Sequence, residues 1–338
     1  MNTNQLISNN IENKRVAFVF GDPASAKAMI AISKLICNND LFILVSDRYY
    51  SFFKEIDADV SIVINEEYLL SKLNDFKPQL IFTGTSLPIS VELKSLKYGK
   101  RNNIETISFV DHWTNVKERF IDENGQLIIP DKIYVIDNNA HDIAIKDGLP
   151  EKQIEVTSNP YYNWLSTWKP KTDRNSFCQL IGLDQDAVYI VYAPEPLDKF
   201  NLKEKYGFDE YDVLNDLDQI YKTYLANSDT GLRIIFKLHP NVSKEEVSNA
   251  ISLNLGYMPD YLILISDVDF NHLIYYSSLV IGFFSNSLIE ASILGKPTFR
   301  LLYKLNRIEN DPLNGKGIGI RIDSLREFSE IFYQNILK

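Results

Sequence analysis

Short apolar runs alternate with longer amphipathic stretches along the first half of the chain. Arg15–Phe20 is mostly apolar and stops at Gly21-Asp22-Pro23, which predicts a buried strand and a turn, and Ala24–Ile36 then predicts a helix. Glu66–Phe76 also has helical spacing. The other short apolar runs predict strands at Leu41–Val45, Val60–Ile64, Leu80–Thr83, Ile104–Val110 and Lys132–Ile136. Strands separated by helices indicate βαβ units and a parallel sheet.

The same alternation starts again after a stretch with Trp, Pro and Lys that ends at Arg174 and predicts a linker. Strands are predicted at Ala187–Tyr192, Leu232–Lys237, Tyr261–Ile265, Leu279–Gly282 and Thr298–Leu302, and helices at Asp212–Ala226, Asn271–Ser277, Ser287–Leu294 and Leu325–Leu337. The fold class that follows is α/β, with two Rossmann-like, doubly wound domains facing a central cleft. We expect a first domain over 1–165, a second over 175–325, and a terminal helix in 326–338 that packs back on the first.

Composition and charge narrow the class of partner. The 338 residues are enough for two α/β domains, and 45% hydrophobic with 24% charged residues is a globular composition. A net charge of −10 argues against nucleic acid as a partner, because phosphate binding needs a basic face. It also disfavours electrostatic adhesion to anionic lipid, and at most a peripheral membrane association is expected.

Three further features predict a cytoplasmic protein. The apolar runs are too short to span a bilayer. The first 14 residues are polar and contain no apolar segment of a secretory signal. Cys37 and Cys178 are the two cysteines, so no disulfide framework is implied.

The strongest candidate for chemistry is a His-Pro pair at the end of a predicted strand, in Phe236-Lys237-Leu238-His239-Pro240. Pro240 stops the strand, so the His239 imidazole is expected to point towards the cleft. Lys237 stands two residues earlier and shares the same strand face. A cation or proton donor here would offset charge on a departing phosphate. The alternative is a histidine satisfied by backbone contacts.

The second candidate is the strand-to-helix junction Gly282-Phe283-Phe284-Ser285-Asn286-Ser287, which runs into Glu290. Amides and hydroxyls at a helix start suit a phosphate, which makes Ser285, Asn286, Ser287 and Glu290 candidates for donor binding. The alternative is that Ser287 and Glu290 form an ordinary capping box. Asp267-Val268-Asp269 also has two interpretations. It matches a DxD metal-binding string, but a role in capping the helix that follows explains it better. No Cys/His cluster has metal-ligand spacing, so no metal is expected.

These elements carry a family resemblance. The run KLHP and, after a spacer, SSLVIGFFSNSLIEASILGKP resemble the C-terminal half of GT-B transferases for capsule and lipopolysaccharide. They look most like bacterial sialyltransferases, Kdo transferases and related nonulosonic-acid transferases. The resemblance implies that His239 acts on the donor phosphate, often as general acid, and that Ser285 and Ser287 bind it. It also implies that the loop with Pro194 and Glu195 faces the nucleotide.

The first domain is expected to bind the acceptor. An inverting transfer needs a base, and Asp111 ends a strand where the sialyltransferases carry an acidic motif, although Asp-His-Trp stands here in place of Asp-Asp-Gly. Asp111 as a helix cap is the alternative. His112 and Trp113 are expected to flank the acceptor sugar, with Trp113 stacking on it. Asp22 and Thr85, which follow earlier strands, complete the predicted acceptor site.

The sequence therefore predicts an inverting, metal-independent GT-B glycosyltransferase for a bacterial surface polysaccharide. Its substrates would be a nucleotide sugar, namely a nonulosonic acid carried by CMP, and a glycan acceptor, with no further cofactor. Two other enzymes remain open on the same scaffold. One resembles UDP-N-acetylglucosamine 2-epimerases or sugar-nucleotide hydrolases, and the other resembles polyol-phosphate transferases. A non-catalytic glycan-assembly subunit is the non-enzymatic alternative.

Overall fold

The structure is a computed structural model in which the described residues are 7, 10–33, 41–46, 60–87, 91–225, 231–239, 242–266 and 268–336. The chain divides into two compact units, Met1–Trp164 and Leu165–Lys338. Cys37, Pro240 and Asp267 lie outside the described ranges, and so do the last residues of three predicted helices, Ile36, Ala226 and Leu337.

The first unit contains one parallel sheet. Its strands are β1 (Val16–Phe20), β2 (Leu41–Ser46), β3 (Val60–Val63), β4 (Leu80–Thr83), β5 (Glu105–Val110), β6 (Lys132–Val135) and β7 (Ile154–Val156). Its helices are α1 (Pro23–Ser33), α2 (Glu66–Phe76), α3 (Val91–Arg101), α4 (Asn138–Lys146) and α5 (Pro160–Leu165), whose last residue belongs to the second unit. The strand order is β3-β2-β1-β4-β5-β6-β7.

The second unit repeats this plan. Its strands are β8 (Val188–Tyr192), β9 (Leu232–Lys237), β10 (Leu262–Ile265), β11 (Leu279–Gly282), β12 (Thr298–Leu301) and β13 (Ile320–Ile322). Its helices are α6 (Arg174–Leu180), α7 (Lys203–Tyr206), α8 (Glu210–Leu225), α9 (Lys244–Leu255), α10 (Phe270–Tyr276), α11 (Asn286–Ile293) and α12 (Leu325–Ile336). The order is β10-β9-β8-β11-β12-β13, and the strand pairs are parallel.

Burial explains why these segments form the inner strands. All five residues of β1 are fully buried, and β8 and β11 are almost as apolar. Parallel strands covered by helices on both faces need such continuous apolar runs. Polar residues set the helix starts instead, because Asn65 caps α2 through Tyr68 N and Asp137 caps α4 through Ala140 N.

Each sheet has a point where the strand order reverses. In the first unit β1 lies between β2 and β4, and in the second β8 lies between β9 and β11. This order is that of a doubly wound Rossmann-like domain, so the predicted α/β fold with two such domains is confirmed. Ligands of these sheets bind beyond the carboxyl ends of the strands that flank the switch point.

The region around the division is more structured than the predicted linker. Helix α5 occupies Pro160–Leu165, and α6 starts at Arg174 with Asp173 as its N-cap. The terminal helix α12 contacts α8 and β13, within its own unit. Its predicted packing on the first domain stays a prediction. Within the described ranges, no helix combines the length and apolar character needed to cross a membrane.

Candidate functional site

The carboxyl ends of β8 and β11 meet closely at the second switch point. Ala193 N donates to Ile281 O at 2.9 Å, and Ser285 Oγ donates to Ala193 O at 3.3 Å. A Cβ atom on Gly282 would stand 2.7 Å from Ala193 O, which is closer than van der Waals contact permits. Glycine is therefore required for the two strand ends to lie this close.

Helix α11 begins at this junction. Its N-cap is Ser285, whose side chain does not cap the helix because it bonds to Ala193 instead. The alternative of a Ser287–Glu290 capping box is wrong, since the helix starts at Asn286 and places Ser287 inside the first turn. Within the described part of the chain, the half-buried side chains of Asn286 and Ser287 make no hydrogen bond. Their polar groups are available to a ligand at the helix start.

His239 lies at the same sheet edge. Strand β9 pairs with β8, with Phe236 opposite Tyr192, so His239 follows a strand end next to that of β8. His239 is half-buried, and its backbone carbonyl accepts a hydrogen bond from Val242 N at 3.0 Å. Lys237 Nζ donates to Leu238 O at 2.9 Å and lies 5.9 Å from the Phe270 ring centroid. The structure thus brings His239 and Ser285–Ser287 to one edge of one sheet.

Glu195 carries a carboxyl group into the junction. Its Oε1 accepts from Phe284 N at 3.1 Å. Part of the side chain is exposed, but Oε2 is buried and has no hydrogen-bond partner among the described residues. Burial, followed by the charges of Glu210 and Asp311, raises the pKa of Glu195 to about 8. Its neighbour Pro194 and the helix residue Glu290 are both buried as well.

Glu210 is the second unusual acid of this edge. It begins α8, is 3% exposed, and its Oε2 accepts from Asp198 N at 3.0 Å. Burial, reinforced by Asp209 and Asp198, raises the pKa of Glu210 to about 7. Two carboxyls with raised pKa values near a switch point are typical of a functional site.

These pKa values predict how stability depends on pH. Folded Glu195 and Glu210 bind protons more tightly than in the unfolded chain, where the pKa is about 4.5. Their contribution is therefore complete below about pH 4.5 and is lost as pH rises through about 7 and 8. We expect the melting temperature of Glu195→Gln to fall less between pH 5 and 9 than that of the wild type, because glutamine does not ionise in this range. The amide oxygen keeps the acceptor for Phe284 N, so the substitution removes the titration and not the hydrogen bond.

Glu246→Gln is the matched control for this pH series. The Lys199 ammonium and the Ser243 backbone lower the pKa of Glu246 to about 2, so its contribution is present above about pH 4.5 and lost in acid. The melting temperature of Glu246→Gln should therefore fall between pH 5 and 9 by as much as that of the wild type. An equally large fall for Glu195→Gln would contradict the prediction.

In the first unit, Asp111 and Thr85 are brought together by an arginine. Asp111 is 5% exposed, and its Oδ1 lies 3.4 Å from Arg119 Nη1. The same nitrogen donates to Thr85 Oγ1 at 3.2 Å and to Thr85 O at 3.3 Å. No helix starts at Asp111, because the following helical turn is the 3-10 turn Glu118–Phe120. The helix-cap alternative for Asp111 is therefore wrong.

The sequence did not single out Arg119 as a site residue. The only local sign was the lack of packing periodicity around it. Its position depends on Phe120, which is fully buried and accepts from Ile128 N at 2.8 Å. That anchor holds the 3-10 turn over the ends of β4 and β5.

His112 and Trp113 have partners inside the first unit. Trp113 is 8% exposed, and its Nε1 donates to Asp137 Oδ2 at 2.7 Å. His112 Nδ1 lies 2.9 Å from Thr114 Oγ1, and its ring centroid is 5.5 Å from that of Trp113. The tryptophan thus supports the start of α4, while its role as a platform for an acceptor sugar stays a prediction.

A buried carboxylate lies at the first switch point. Glu92 is 4% exposed, and its Oε1 accepts from Gly21 N and from Ser86 Oγ, both at 2.6 Å. Gly21 follows β1, and Ser86 follows β4. Next to them, Asp22 uses its carbonyl to accept from Ala26 N at 2.9 Å and from Ser25 Oγ at 3.1 Å. The half-buried Asp22 side chain therefore lies next to two donors, Gly21 N–H and Ser86 O–H, that the Glu92 carboxyl group already binds.

No family model matches the sequence, and no curated protein has a significantly similar sequence. Solved structures are similar. The UDP-GlcNAc 2-epimerase of Methanocaldococcus jannaschii, in complex with UDP-GlcNAc and UDP, has a TM-score of 0.63 at 15% identity, covering 96% of this chain and 93% of that one. The Neisseria meningitidis enzyme bound to UDP-GlcNAc has a TM-score of 0.61 at 17% identity, covering 95% and 91%.

A third similar structure is the Anabaena HepE protein in complex with UDP-glucose, with a TM-score of 0.59 at 11% identity, covering 95% of this chain and 89% of that one. Identities this low show a common fold. The chain has the GT-B type of architecture, two parallel-sheet Rossmann-like domains, over almost its whole length.

Proposed function

We propose that this chain is a GT-B enzyme that acts on a sugar nucleotide, with the nucleotide phosphate bound at the start of α11. The observation that carries the proposal is the junction at the second switch point. There Asn286 and Ser287 present polar groups that no described protein group uses, in the first turn of a helix. A helix N-terminus with such donors favours an anion, and a switch point is where doubly wound sheets bind ligands.

The proposed reaction is an inverting glycosyl transfer. An acceptor hydroxyl attacks the anomeric carbon, the bond from that carbon to the phosphate oxygen breaks, and Asp111 takes the hydroxyl proton. The electron pair stays on the phosphate oxygen, where the first turn of α11 and His239 offset the developing charge. Arg119 gives the Asp111 carboxylate a fixed partner. No metal or cofactor enters these steps.

The donor nucleotide separates two versions of the proposal. The His-Pro and serine motifs resemble those of nonulosonic-acid and Kdo transferases, which favours a cytidine nucleotide. The similar structures from Methanocaldococcus, Neisseria and Anabaena hold UDP or UDP-sugars, which favours uridine. The second of these observations also favours a 2-epimerase of UDP-GlcNAc as the alternative function.

A nucleotide screen tests the proposal. Melting temperatures would be compared with CMP, CDP, UDP and GDP for the wild type, His239→Ala and Ser287→Ala. A ligand that binds only the folded chain raises the melting temperature by mass action. Loss of one hydrogen bond to a charged phosphate weakens binding by about 10–100-fold, so each variant should show a much smaller shift.

Two controls make the screen specific. Ser292→Ala removes a hydroxyl from the same helix α11, but one that is buried and unbonded within the described structure, so the shift should be unchanged. His141→Ala removes a histidine from α4 of the first unit. No shift with any nucleotide, or equal shifts in all variants, would contradict the proposed site.

The reaction is then settled by incubation with the preferred sugar nucleotide alone. A 2-epimerase converts UDP-GlcNAc without an acceptor, whereas a transferase depends on a glycan acceptor for full turnover. Cytidine preference supports the CMP-nonulosonate donor. Nucleotide binding with no turnover, either with or without a glycan acceptor, supports a non-catalytic assembly subunit.

A further inference from the structure

Arg119 and Asp111 form a charged pair whose hydrogen-bonding capacity is only partly used. Their side chains are 11% and 6% exposed, so the pair is set into the protein and does not lie on a solvated surface. It lies beyond the end of β5, which Asp111 follows directly. Arg119 Nη1 is 3.4 Å from Asp111 Oδ1, whereas a charge-assisted hydrogen bond is usually about 2.8 Å long. The two groups are partners, but neither saturates the other.

Each member of the pair keeps one polar group that no described residue binds. Nη1 serves both Thr85 and Asp111, and Nε donates to Thr114 O at 3.4 Å. Arg119 Nη2 and Asp111 Oδ2 make no hydrogen bond within the described part of the chain. Neither of them is one of its fully buried unbonded side-chain atoms, so both keep contact with solvent. The pair therefore offers a ligand one charged donor and one acceptor.

The second unit contains a pair that is closed by comparison. Arg300 Nη1 contacts both oxygens of Asp311, at 2.7 and 2.8 Å, and Asp311 Oδ1 also accepts from Leu313 N. Such contacts satisfy a buried carboxyl group, as a pair that supports the fold requires. Arg119 and Asp111 lack this closure and lie at the sheet edge where doubly wound domains bind ligands. An incompletely bonded, largely buried pair at that edge is typical of a binding site.

The two open atoms define the chemistry of the ligand. Nη2 carries two N–H groups of a guanidinium that is always charged, and its favoured partners are carboxylates and phosphates. Asp111 Oδ2 accepts a hydrogen bond, which a sugar hydroxyl can donate. A saccharide with a hydroxyl and an anionic group on neighbouring carbons fits both atoms. A neutral saccharide would leave the guanidinium without a second charged partner.

We propose that Arg119 is a specificity-determining residue: its Nη2 binds a carboxylate or phosphate group of the acceptor saccharide, while Asp111 Oδ2 accepts from the neighbouring hydroxyl. The inference rests on the proposed function, which assigns the acceptor to the first unit. Arg119 takes no part in the bond changes. It holds the group next to the reacting hydroxyl, and this orients that hydroxyl against Asp111.

The test compares matched saccharides on the full chain without any nucleotide. Methyl glucuronide carries a carboxylate where methyl glucoside carries a hydroxymethyl group, and methyl glucoside 6-phosphate supplies the phosphate. Ligand-observed NMR titration gives the three Kd values. We expect the wild type to bind one of the two acids about tenfold more tightly than the glucoside, or more, because a hydrogen bond between charged groups changes affinity by about 10–100-fold. The tighter acid identifies the anionic group.

Two variants show whether Arg119 causes the preference. Arg119→Lys keeps a cation for Asp111 but lacks Nη2, so the preference for the acid should fall about tenfold. Asp111→Asn removes a like charge from beside the anion, so the preference should rise. Arg101→Lys is the matched control, because Arg101 is exposed at the end of α3, and its preference should equal that of the wild type.

The ratio of Kd values separates recognition from a structural role. An Arg119 that only supports the fold would weaken the binding of all three saccharides alike in Arg119→Lys and leave the ratio unchanged, which would overturn the inference. Equal wild-type binding of acids and glucoside, or no binding of any of them, would overturn it as well. None of these results bears on the nucleotide screen, which reports on the second unit. A failed screen with acid selectivity that depends on Arg119 would remove the proposed function and leave a site for acidic saccharides.

Discussion

Arg300→Met is expected to lower the free energy of unfolding by about 3–5 kcal/mol, the largest change predicted for a single substitution here. The Arg300 and Asp311 side chains are 6% and 0% exposed, and Nη1 contacts both carboxylate oxygens. Removing the arginine leaves a buried carboxylate. Arg321 Nη1 is 3.6 Å from Asp311 Oδ2, too far to replace the lost hydrogen bonds. Urea unfolding followed by circular dichroism measures the effect.

The double variant Arg300→Met, Asp311→Asn separates loss of the pair from burial of an unpaired charge. Asparagine keeps the Oδ1 acceptor for Leu313 N, which is 3.0 Å away in the native chain. We expect the double variant to regain about 2 kcal/mol or more of the free energy of unfolding that Arg300→Met loses. Arg326→Met is the exposed control: its partner is Glu330, its side chain is 89% exposed, and the change should stay within about 0.5 kcal/mol. A double variant no more stable than Arg300→Met would show that the uncompensated charge is not the cause.

Gly282→Ala is expected to cost about 1–3 kcal/mol and to weaken nucleotide binding together with stability. The added Cβ would meet Ala193 O at 2.7 Å and Leu288 Cδ2 at 3.3 Å. Because the first contact is with backbone, a side-chain rotation cannot relieve it. The ends of β8 and β11 must move apart, and the start of α11 moves with them. Denaturant unfolding and the nucleotide shift of the same preparation report the two effects.

Gly231→Ala is the control for that substitution. It precedes β9, and the nearest atoms to an added Cβ are 3.8 Å and 3.9 Å away, on Ala187. Its free energy of unfolding should stay within about 0.5 kcal/mol of the wild type. If Gly282→Ala were equally stable, the close approach of the two strand ends would be looser than the structure indicates.

The strand bounds show what local pattern can predict. Leu80–Thr83, Leu232–Lys237 and Leu279–Gly282 were predicted with the bounds that the structure has. These strands are buried apolar runs that end at glycine or charged residues, so the information is local. Among the described residues, two strands were not predicted, Ile154–Val156 and Ile320–Ile322, and both are three residues long and partly exposed. Pairing with a neighbour forms them, and no local apolar period marks them.

The candidate site also combines features that the local sequence predicts with features that only tertiary packing creates. The edge position of His239 and Ser285 follows from strand ends that the sequence shows. The contacts of Glu195 do not, because Phe284, Glu210 and Asp311 reach it from three separate segments. Arg119 reaches Asp111 through a turn anchored by Phe120, which has no sequence signature. Such juxtapositions are products of tertiary packing.

The two sheets have equivalent strand orders, yet the polar groups at their switch points are bonded differently. In the first unit the donors Gly21 N–H and Ser86 O–H are already hydrogen-bonded to the carboxyl group of Glu92. An incoming phosphate there would have to displace a buried carboxyl group of the same chain. The two units thus differ at the switch point: in the first, Glu92 occupies the donors Gly21 N–H and Ser86 O–H, and in the second the side chains of Asn286 and Ser287 make no hydrogen bond among the described residues.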